Sequence, residues 1–323
     1  MRMLRRRSAE SAKVPGTTAR LAISDHTSAG GHRFAMIHSR ATQHVTVVFQ
    51  AGARDLARWT ELFGLDGIQV RDSVDITAIT AVTETQPLAG EAQRRWLAAD
   101  AADELVALRM DLLDVTEIAL TARLAVTFDV LVRRAQKDLS EQGVEIGRRL
   151  PRLIESFAEA GIAVRPMSSV EVVAVVSAAY SETSADTFAD AFTGDLRERR
   201  DVFAHNGFRT AAAVMAPARA RSDVIEALCT PSWTAARGRV AVTYRREVPA
   251  AGRAARLARM GVVVTVTEPS AVHPSLEAKR TGLPLAGRLA LRRGYDAQAA
   301  LMAASLGVGV LLPEHADITD VAI

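Results

Sequence analysis

The clearest alternation of apolar and polar residues lies in segment 205–248, where two predicted strands flank a short predicted helix. The apolar run Phe208 to Met215 follows Asn206-Gly207, a pair that favours positive φ in a tight turn, so this run predicts a strand. Asp223 and Glu226 stand three residues apart, as in a capping box, and the apolar residues that follow share one helical face. The segment therefore predicts a strand, a helix and a second strand in succession.

The second strand of this segment begins at Gly238 and has a period of two, which is typical of a half-buried strand. Val240, Val242 and Tyr244 fall on one side, and Arg239, Thr243 and Arg245 fall on the other. This pattern predicts a buried apolar face and a solvent-exposed face that carries the arginines.

Similar patterns recur along the chain. Strands are predicted at Val45–Gln50, Val74–Val82, Thr116–Val130 and Val262–Thr267, and helices at Asp55–Phe63, Glu91–Met110, Leu131–Gln142, Gly147–Ala160, Val170–Tyr180 (capped by Ser168 or Ser169) and Ala250–Met260. Because strands and helices alternate, we expect an α/β fold in which helices cover mixed sheets, with α+β as the alternative.

Three regions are expected along the chain. Residues 1–29 contain Arg5-Arg6-Arg7 and many small polar residues, which predicts a mobile basic arm. Residues 30–182 and 194–323 form two predicted α/β lobes, because segment 183–193 is small and polar like a linker. The lobes show weak similarity but no repeat at a fixed period.

Composition and charge narrow the classes of protein. The 323 residues are 49% hydrophobic and 24% charged, which indicates a globular chain. The net charge of +3 is a small excess of 40 Lys and Arg over 37 Asp and Glu. Only Lys13, Lys137 and Lys279 are lysines, so 40 − 3 = 37 are arginines; a compositional bias explains this best, because a nucleic-acid surface needs clustered arginines. No apolar run approaches the ~20 residues of a membrane span.

The sequence lacks the short motifs that carry well-known chemistry. The forms GxxxxGK[ST], GxSxG and HExxH are missing, and Gly307-Val308-Gly309 has neither the third glycine nor the following helix of a dinucleotide site. Cys229 is the single cysteine, so no intrachain disulfide forms and a reducing compartment is expected. We therefore expect no ATP or NAD site, and the sequence shows no convincing catalytic constellation.

Individual candidates for chemistry have simpler interpretations. His26, His32, His38 and His44 recur every six residues, but six residues of strand separate side chains by about 20 Å, too far to share a metal ion. His205 is either a catalytic base or the flank of a turn, and Cys229 is expected to be a small buried hydrophobe. Pairs of arginines at 94-95, 133-134, 148-149, 199-200, 245-246 and 292-293 indicate solvated faces, and Trp59, Trp96 and Trp233 indicate packing.

Five segments resemble one family in order along the chain. They are Arg33-Phe34, LTARLAVTFDVLV, AGIAVRPMSSVEV, the succession HNGFRTAAAVMAP, SDVIEALCTPS and RGRVAVTYRREV, and the C-terminal RTGLPLAGRLALRRG and GVGVLLPEHADITDV. Over roughly His32 to Ile323 they are similar to the soluble part of EccE, a component of type VII (ESX) secretion systems.

The resemblance implies a non-enzymatic structural subunit without catalytic, cofactor-binding or metal-binding residues. Its expected place is the cytoplasmic face of the cell membrane, on membrane-embedded core subunits and beside an FtsK/SpoIIIE-type ATPase subunit. Members of the family usually begin with two transmembrane helices, which this sequence does not show. A truncated chain, a mis-chosen start codon and a variant recruited only through partners are the three explanations.

Two other functions remain open from the sequence. A nucleic-acid-associated accessory protein of a related conjugative DNA transfer apparatus would need a continuous arginine face. An enzyme of unknown type would need a deep pocket with convergent polar groups around His205, Cys229 or Tyr244.

Overall fold

One large sheet organises the fold. The computed structural model describes residues 11–52, 76–87, 118–129, 139–181, 183–216, 219–229, 237–246 and 257–312. Within them, thirteen strands share one sheet in which the strand pairs are antiparallel. The strands are β1 (Ser11–Lys13), β2 (Arg20–Thr27), β3 (Arg33–Ser39), β4 (His44–Ala51), β5 (Ile76–Pro87), β6 (Ile118–Asp129), β7 (Val164–Pro166), β8 (Leu196–Glu198), β9 (Phe203–His205), β10 (Phe208–Met215), β11 (Arg237–Arg246), β12 (Leu257–Pro269) and β13 (Arg292–Arg293).

Helices cover both faces of the sheet, which confirms the expected fold class. They are α1 (Leu139–Glu159), α2 (Ser169–Tyr180), α3 (Ser222–Cys229), α4 (Glu277–Thr281), α5 (Leu285–Ala290) and α6 (Gln298–Ser305), with a 3₁₀ turn at Asp190–Phe192. Helices α1 and α3 pack in one core with Phe49 and Tyr244, and helices α2 and α6 pack in a second core with Ile37 and Val48. We name these the α1 face and the α2 face of the sheet. None of the described helices has the length and apolar character needed to cross a bilayer.

The strand order of the sheet is the same from its centre in both directions. Outward from the central pair β5–β11 the order is β5-β6-β4-β3 on one side and β11-β12-β10-β9 on the other. Strand β7 pairs with β4 just as β13 pairs with β10, and helices α2 and α6 follow these short strands. The backbone bond from Met167 N–H to Val48 O (2.9 Å) has its equivalent from Gly294 N–H to Ala212 O (3.0 Å). The two halves therefore share one topology.

The two halves share a topology but differ in the lengths of their connections, which explains why the sequence shows no repeat of fixed period. Residues 88–117 separate β5 from β6, whereas the shorter segment 247–256 separates the equivalent β11 and β12. The segment 183–193, predicted to separate two lobes, lies between the two halves. One hydrogen-bonded sheet nevertheless runs through both halves, so the division into two independent lobes stays a prediction.

The segment with the clearest sequence pattern folds largely as predicted. Strand β10 has the predicted bounds, and the turn before it places Asn206 at φ 43° and Gly207 at φ 86°. In helix α3 the buried residues are Val224, Ile225 and Leu228, the predicted apolar face. In helix α2 the Ser168 hydroxyl and the Glu171 side chain form a reciprocal capping box, which confirms the predicted N-cap.

Two predictions in the N-terminal half are wrong within the described residues, and their parts at 1–10 and 131–138 lie outside those residues. Residues 11–27 of the predicted mobile arm form β1 and β2, and Val14 and Leu21 are buried. Strand β2 pairs with β3 over seven residues, so long-range pairing orders a segment with weak local alternation. The helices predicted at 131–142 and 147–160 are one helix over 139–159, without the predicted break at 143–146. Gly143 and Gly147 let this helix lie close to β2, the turn after it and β3, where a Cβ would clash or crowd.

Two predictions in the C-terminal half also need correction. The helix predicted at 250–260 is wrong from Leu257 onward, where β12 begins and pairs with β11 around a bulge at Thr243/Tyr244. Asp223 lies inside the first turn of α3 and accepts a bond from Arg221 Nε, so it is not the N-cap. The helices predicted at 55–63 and 91–110, the three tryptophans and the arginine pairs 94-95 and 133-134 lie outside the described residues.

The β9–β10 turn predicts a difference between two glycines. Replacing Gly207 by Ala places a Cβ in the left-handed region, and we expect a loss of about 1 kcal/mol in the free energy of unfolding. Gly52 is the matched control, because a Cβ there meets nothing within 4 Å and its φ is not in the left-handed region. Urea unfolding of both variants measures the difference; equal stabilities would contradict the role of the turn.

Candidate functional site

Three charged side chains are buried together under the α2 face, where the two halves of the sheet meet. Glu84 on β5 lies directly opposite Arg239 on β11, and Arg123 reaches the same carboxylate from β6. Arg239 Nη2 is 3.1 Å from Glu84 Oε1, and Arg123 Nη2 is 2.9 Å from Glu84 Oε2. Arg239 is 2% exposed, so the prediction that its side of β11 faces solvent is wrong. We name these residues the Glu84 cluster.

The electrostatics of the Glu84 cluster favour the ionised forms. Burial raises the pKa of Glu84, but the guanidinium groups of Arg239 and Arg123 outweigh it and lower the pKa to about 2. The partly buried Arg237 also brings its Nε within 3.9 Å of Glu84 Oε1, so three guanidinium groups against one carboxylate leave an excess of two positive charges. Arg239 Nη1 also donates to Ser305 Oγ (3.3 Å) at the C-terminal end of α6, where the helix dipole is negative. The end of α6 therefore offsets part of this excess charge.

His205 belongs to a buried hydrogen-bond chain beside this cluster. Its Nδ1 lies 3.0 Å from the Tyr180 carbonyl oxygen, so Nδ1 carries the proton, and its Nε2 accepts from Thr210 Oγ1 at 2.7 Å. Thr210 Oγ1 in turn lies 2.8 Å from Thr267 Oγ1. Burial lowers the pKa of His205 to about 4. Both ring nitrogens therefore hold structure, and His205 flanks the turn as the alternative interpretation predicted.

The three residues considered for an enzyme site do not converge. Tyr244 is buried in the core of the α1 face, and Cys229, the last residue of α3, packs against the same core. His205 contacts the ring of Tyr180, which belongs to the core of the α2 face. Burial raises the pKa of the Cys229 thiol to about 12, which makes it a poor nucleophile at neutral pH.

The other candidates from the sequence also separate in space. His26, His38 and His44 lie on β2, β3 and β4, and His32 lies in the exposed turn between β2 and β3. In the described residues no three histidine, cysteine or carboxylate side chains are grouped as metal ligands would be. Arg148 and Arg149 pair with Glu145 on the solvent side of α1, which confirms the prediction of a solvated face there.

An open cleft of about 310 Å³ lies where β8, β9 and β10 form one end of the sheet. Ala204 on β9 pairs with Arg197 on β8 and with Arg209 on β10, so these three side chains form one row on the same face. Arg199 lies two residues beyond Arg197 and lines the cleft with them. The small Ala204 side chain therefore leaves a floor between arginines, which we name the arginine cleft.

The arginine cleft contains both paired and unpaired charges. Arg197 Nε is 3.0 Å from Asp195 Oδ1, and His273 Nε2 is 3.9 Å from Asp201 Oδ2. Arg199 and Arg209 form no ion pair with any described residue. Glu268 lies opposite Arg209 on β12 without an ion pair, and burial raises its pKa. Two lining guanidinium groups thus remain available for a ligand.

Neither site is predicted from the sequence, because both depend on which strands lie beside each other. Arg123 interrupts an apolar run that predicts a buried strand, and this interruption was the available indication of the cluster, whereas Glu84 lies two residues beyond the predicted strand Val74–Val82. The arginine cleft depends on pairing between three strands, which the sequence pattern of one strand does not specify.

Comparison with protein-family models and with curated proteins finds no match to this chain.

The Glu84 cluster predicts a large cost for removing its one negative charge. Glu84→Gln leaves two buried guanidinium groups without a counter-ion, and we expect a loss of about 3–5 kcal/mol in the free energy of unfolding. Glu145→Gln on the exposed face of α1 is the control, with an expected loss below about 1 kcal/mol. Denaturant titration at pH 7 measures both; similar small losses would show that the cluster contributes little.

The buried imidazole predicts that acid destabilises the fold. The pKa of His205 falls from an ordinary 6.5 to about 4, so the unfolded chain binds this proton more readily and stability is lost as pH falls from 6.5 to 4. His205→Gln removes this titration, so its stability should fall less over that range, by up to about 3 kcal/mol. His32→Gln, in an exposed turn, should retain the pH dependence of the unmodified chain. Unfolding curves at pH 7, 5.5 and 4.5 test this; parallel pH profiles for all three proteins would contradict it.

Proposed function

We propose that this chain is a structural, non-enzymatic subunit of a type VII (ESX) protein secretion complex, similar to EccE. It docks from the cytoplasmic side on the membrane-embedded subunits, beside an FtsK/SpoIIIE-type ATPase subunit. The ordered resemblance from about His32 to Ile323 carries this proposal, and its most specific part is the block that forms β9 to β11.

The use of the buried polar groups supports a docking role. Both ring nitrogens of His205 are hydrogen-bonded within the fold, and burial raises the pKa of the Cys229 thiol. The Glu84 cluster links strands from both halves of the sheet through buried ion pairs. A single sheet with an open charged cleft at one end suits attachment to other subunits better than the turnover of a small substrate.

The nucleic-acid alternative has less support. Many described surface arginines lie beside carboxylates, as Arg165 does beside Glu171 and Arg280 beside Glu277. A backbone-binding surface needs a continuous positive face, and these ion pairs interrupt one. Carboxylates therefore interrupt the positive surface at these positions.

Co-purification tests the proposed function. We expect the full chain, tagged at its C-terminus and expressed in its own cells, to co-purify with detergent-solubilised membrane subunits and with the ATPase subunit. An equally tagged unrelated cytoplasmic protein is the control and should not co-purify. Consistent absence of the chain from the purified complex would refute the proposal. Duplex DNA binding that weakens steeply with salt would favour the nucleic-acid alternative.

A further inference from the structure

The arginine cleft has the geometry of an anion-binding site. Neighbouring strands lie about 4.8 Å apart, so the Cα atoms of Arg197 and Arg209 stand about 10 Å apart on either side of Ala204. Both arginines line the cleft, and the small Ala204 side chain lies between them. Arg199 extends the same side of the cleft by one strand repeat.

The unpaired guanidinium groups of the cleft favour a ligand with a single negative charge. Arg197, Arg199 and Arg209 carry +3, Asp195 and Asp201 carry −2, and Glu268 opposite Arg209 adds −1, so these formal charges sum to zero. A carboxylate supplies the partner that Arg199 and Arg209 lack, whereas a phosphate dianion would bring a second negative charge close to these three carboxylates. Guanidinium groups also bind carboxylates in a bidentate manner, which gives direction as well as attraction.

The cleft is also rigidly supported from behind. Glu198 lies on the side of β8 opposite to Arg197. Its Oε1 accepts a hydrogen bond from Ala299 N–H at the start of α6 (3.0 Å). Asp296 N donates to the Arg200 carbonyl oxygen at 2.8 Å, so α6 holds the β8–β9 hairpin at a second point. His205 anchors β9 to the Tyr180 carbonyl oxygen. The arginines therefore project from a fixed strand hairpin, which reduces the ordering cost of binding.

We propose that the arginine cleft binds one carboxylate side chain of an acidic peptide segment on a partner protein. Arg199 and Arg209 hold the carboxylate, Ala204 provides the floor, and the Arg197–Asp195 pair forms the rim. This inference names the partner chemistry of the docking role proposed above and rests on it. Its test uses the purified chain alone, so a failure of the cleft and a failure to join the secretion complex are measured separately.

The test is peptide binding by the purified full chain. The probe is a fluorescein-labelled, C-terminally amidated heptapeptide, Thr-Val-Thr-Glu-Thr-Val-Thr, and matched peptides carry Gln or phosphoserine in place of Glu. We expect fluorescence anisotropy to detect binding of the Glu peptide, at least tenfold weaker binding of the Gln peptide, and no gain with phosphoserine. Equal binding of the Glu and Gln peptides, or tighter binding of the phosphoserine peptide, would overturn the proposal.

Variants of the chain locate the site. Arg209→Gln and Arg199→Gln should each weaken binding of the Glu peptide about tenfold, as expected for one charged hydrogen-bonding group. Ala204→Val keeps the charge but fills the floor, and should weaken binding to a similar degree. Arg292→Gln is the matched control, because this exposed arginine on β13 pairs with Val214, about 17 Å along β10 from Arg209. Loss of binding in the control, or its retention in Arg209→Gln, would show that the peptide binds elsewhere.

Discussion

The contact of Glu84 with Arg239 and Arg123 is the constraint on which the rest of the sheet depends. It joins β5, β6 and β11 at the place where the two halves meet, and Ser305 ties α6 to the same group. A slip of one residue between β5 and β11 would turn Glu84 toward the α1 face and leave two guanidinium groups buried without a counter-ion. The cluster therefore specifies the register of the central pair as well as holding it.

Both halves of the chain contribute to this junction, although they share only topology. Glu84 and Arg123 come from the first half, and Arg239 and Ser305 come from the second. Apart from Tyr244 and Arg245, the other paired residues of β5 and β11 are small or β-branched, so most of the ladder specifies its register less strongly than an ion pair does. The ionic contact therefore adds specificity to the register in which the two halves pair.

Local patterns in the sequence predict the elements better than their surroundings. The bounds of β10, the Asn206-Gly207 turn and the Ser168 cap follow from short-range chemistry, and all three are confirmed. The sides of β11 were harder to assign, because alternation indicates two faces but not whether helices cover both. Arg239 lies under α2 and α6, which come from distant parts of the sequence.

The arginine cleft, like the covered side of β11, cannot be predicted from local sequence patterns. Arg199 and Arg209 are ten positions apart in the sequence, and only the turn at Asn206-Gly207 and the pairing of β9 bring them to one side of the sheet. An arginine-rich composition hides such a pair among many others. The strand register, and not the residue type, distinguishes these two arginines from those that pair with neighbouring carboxylates.

The two outermost strands of the sheet affect how this protein contacts other proteins. In the described part of the chain, β1 and β8 end the sheet, and each is only three residues long. Such short borders offer few unpaired backbone groups to an incoming strand, so they discourage stacking of copies into fibres. Contacts with other proteins then depend on surface side chains and not on backbone pairing. Such contacts are selective, and single substitutions alter them easily.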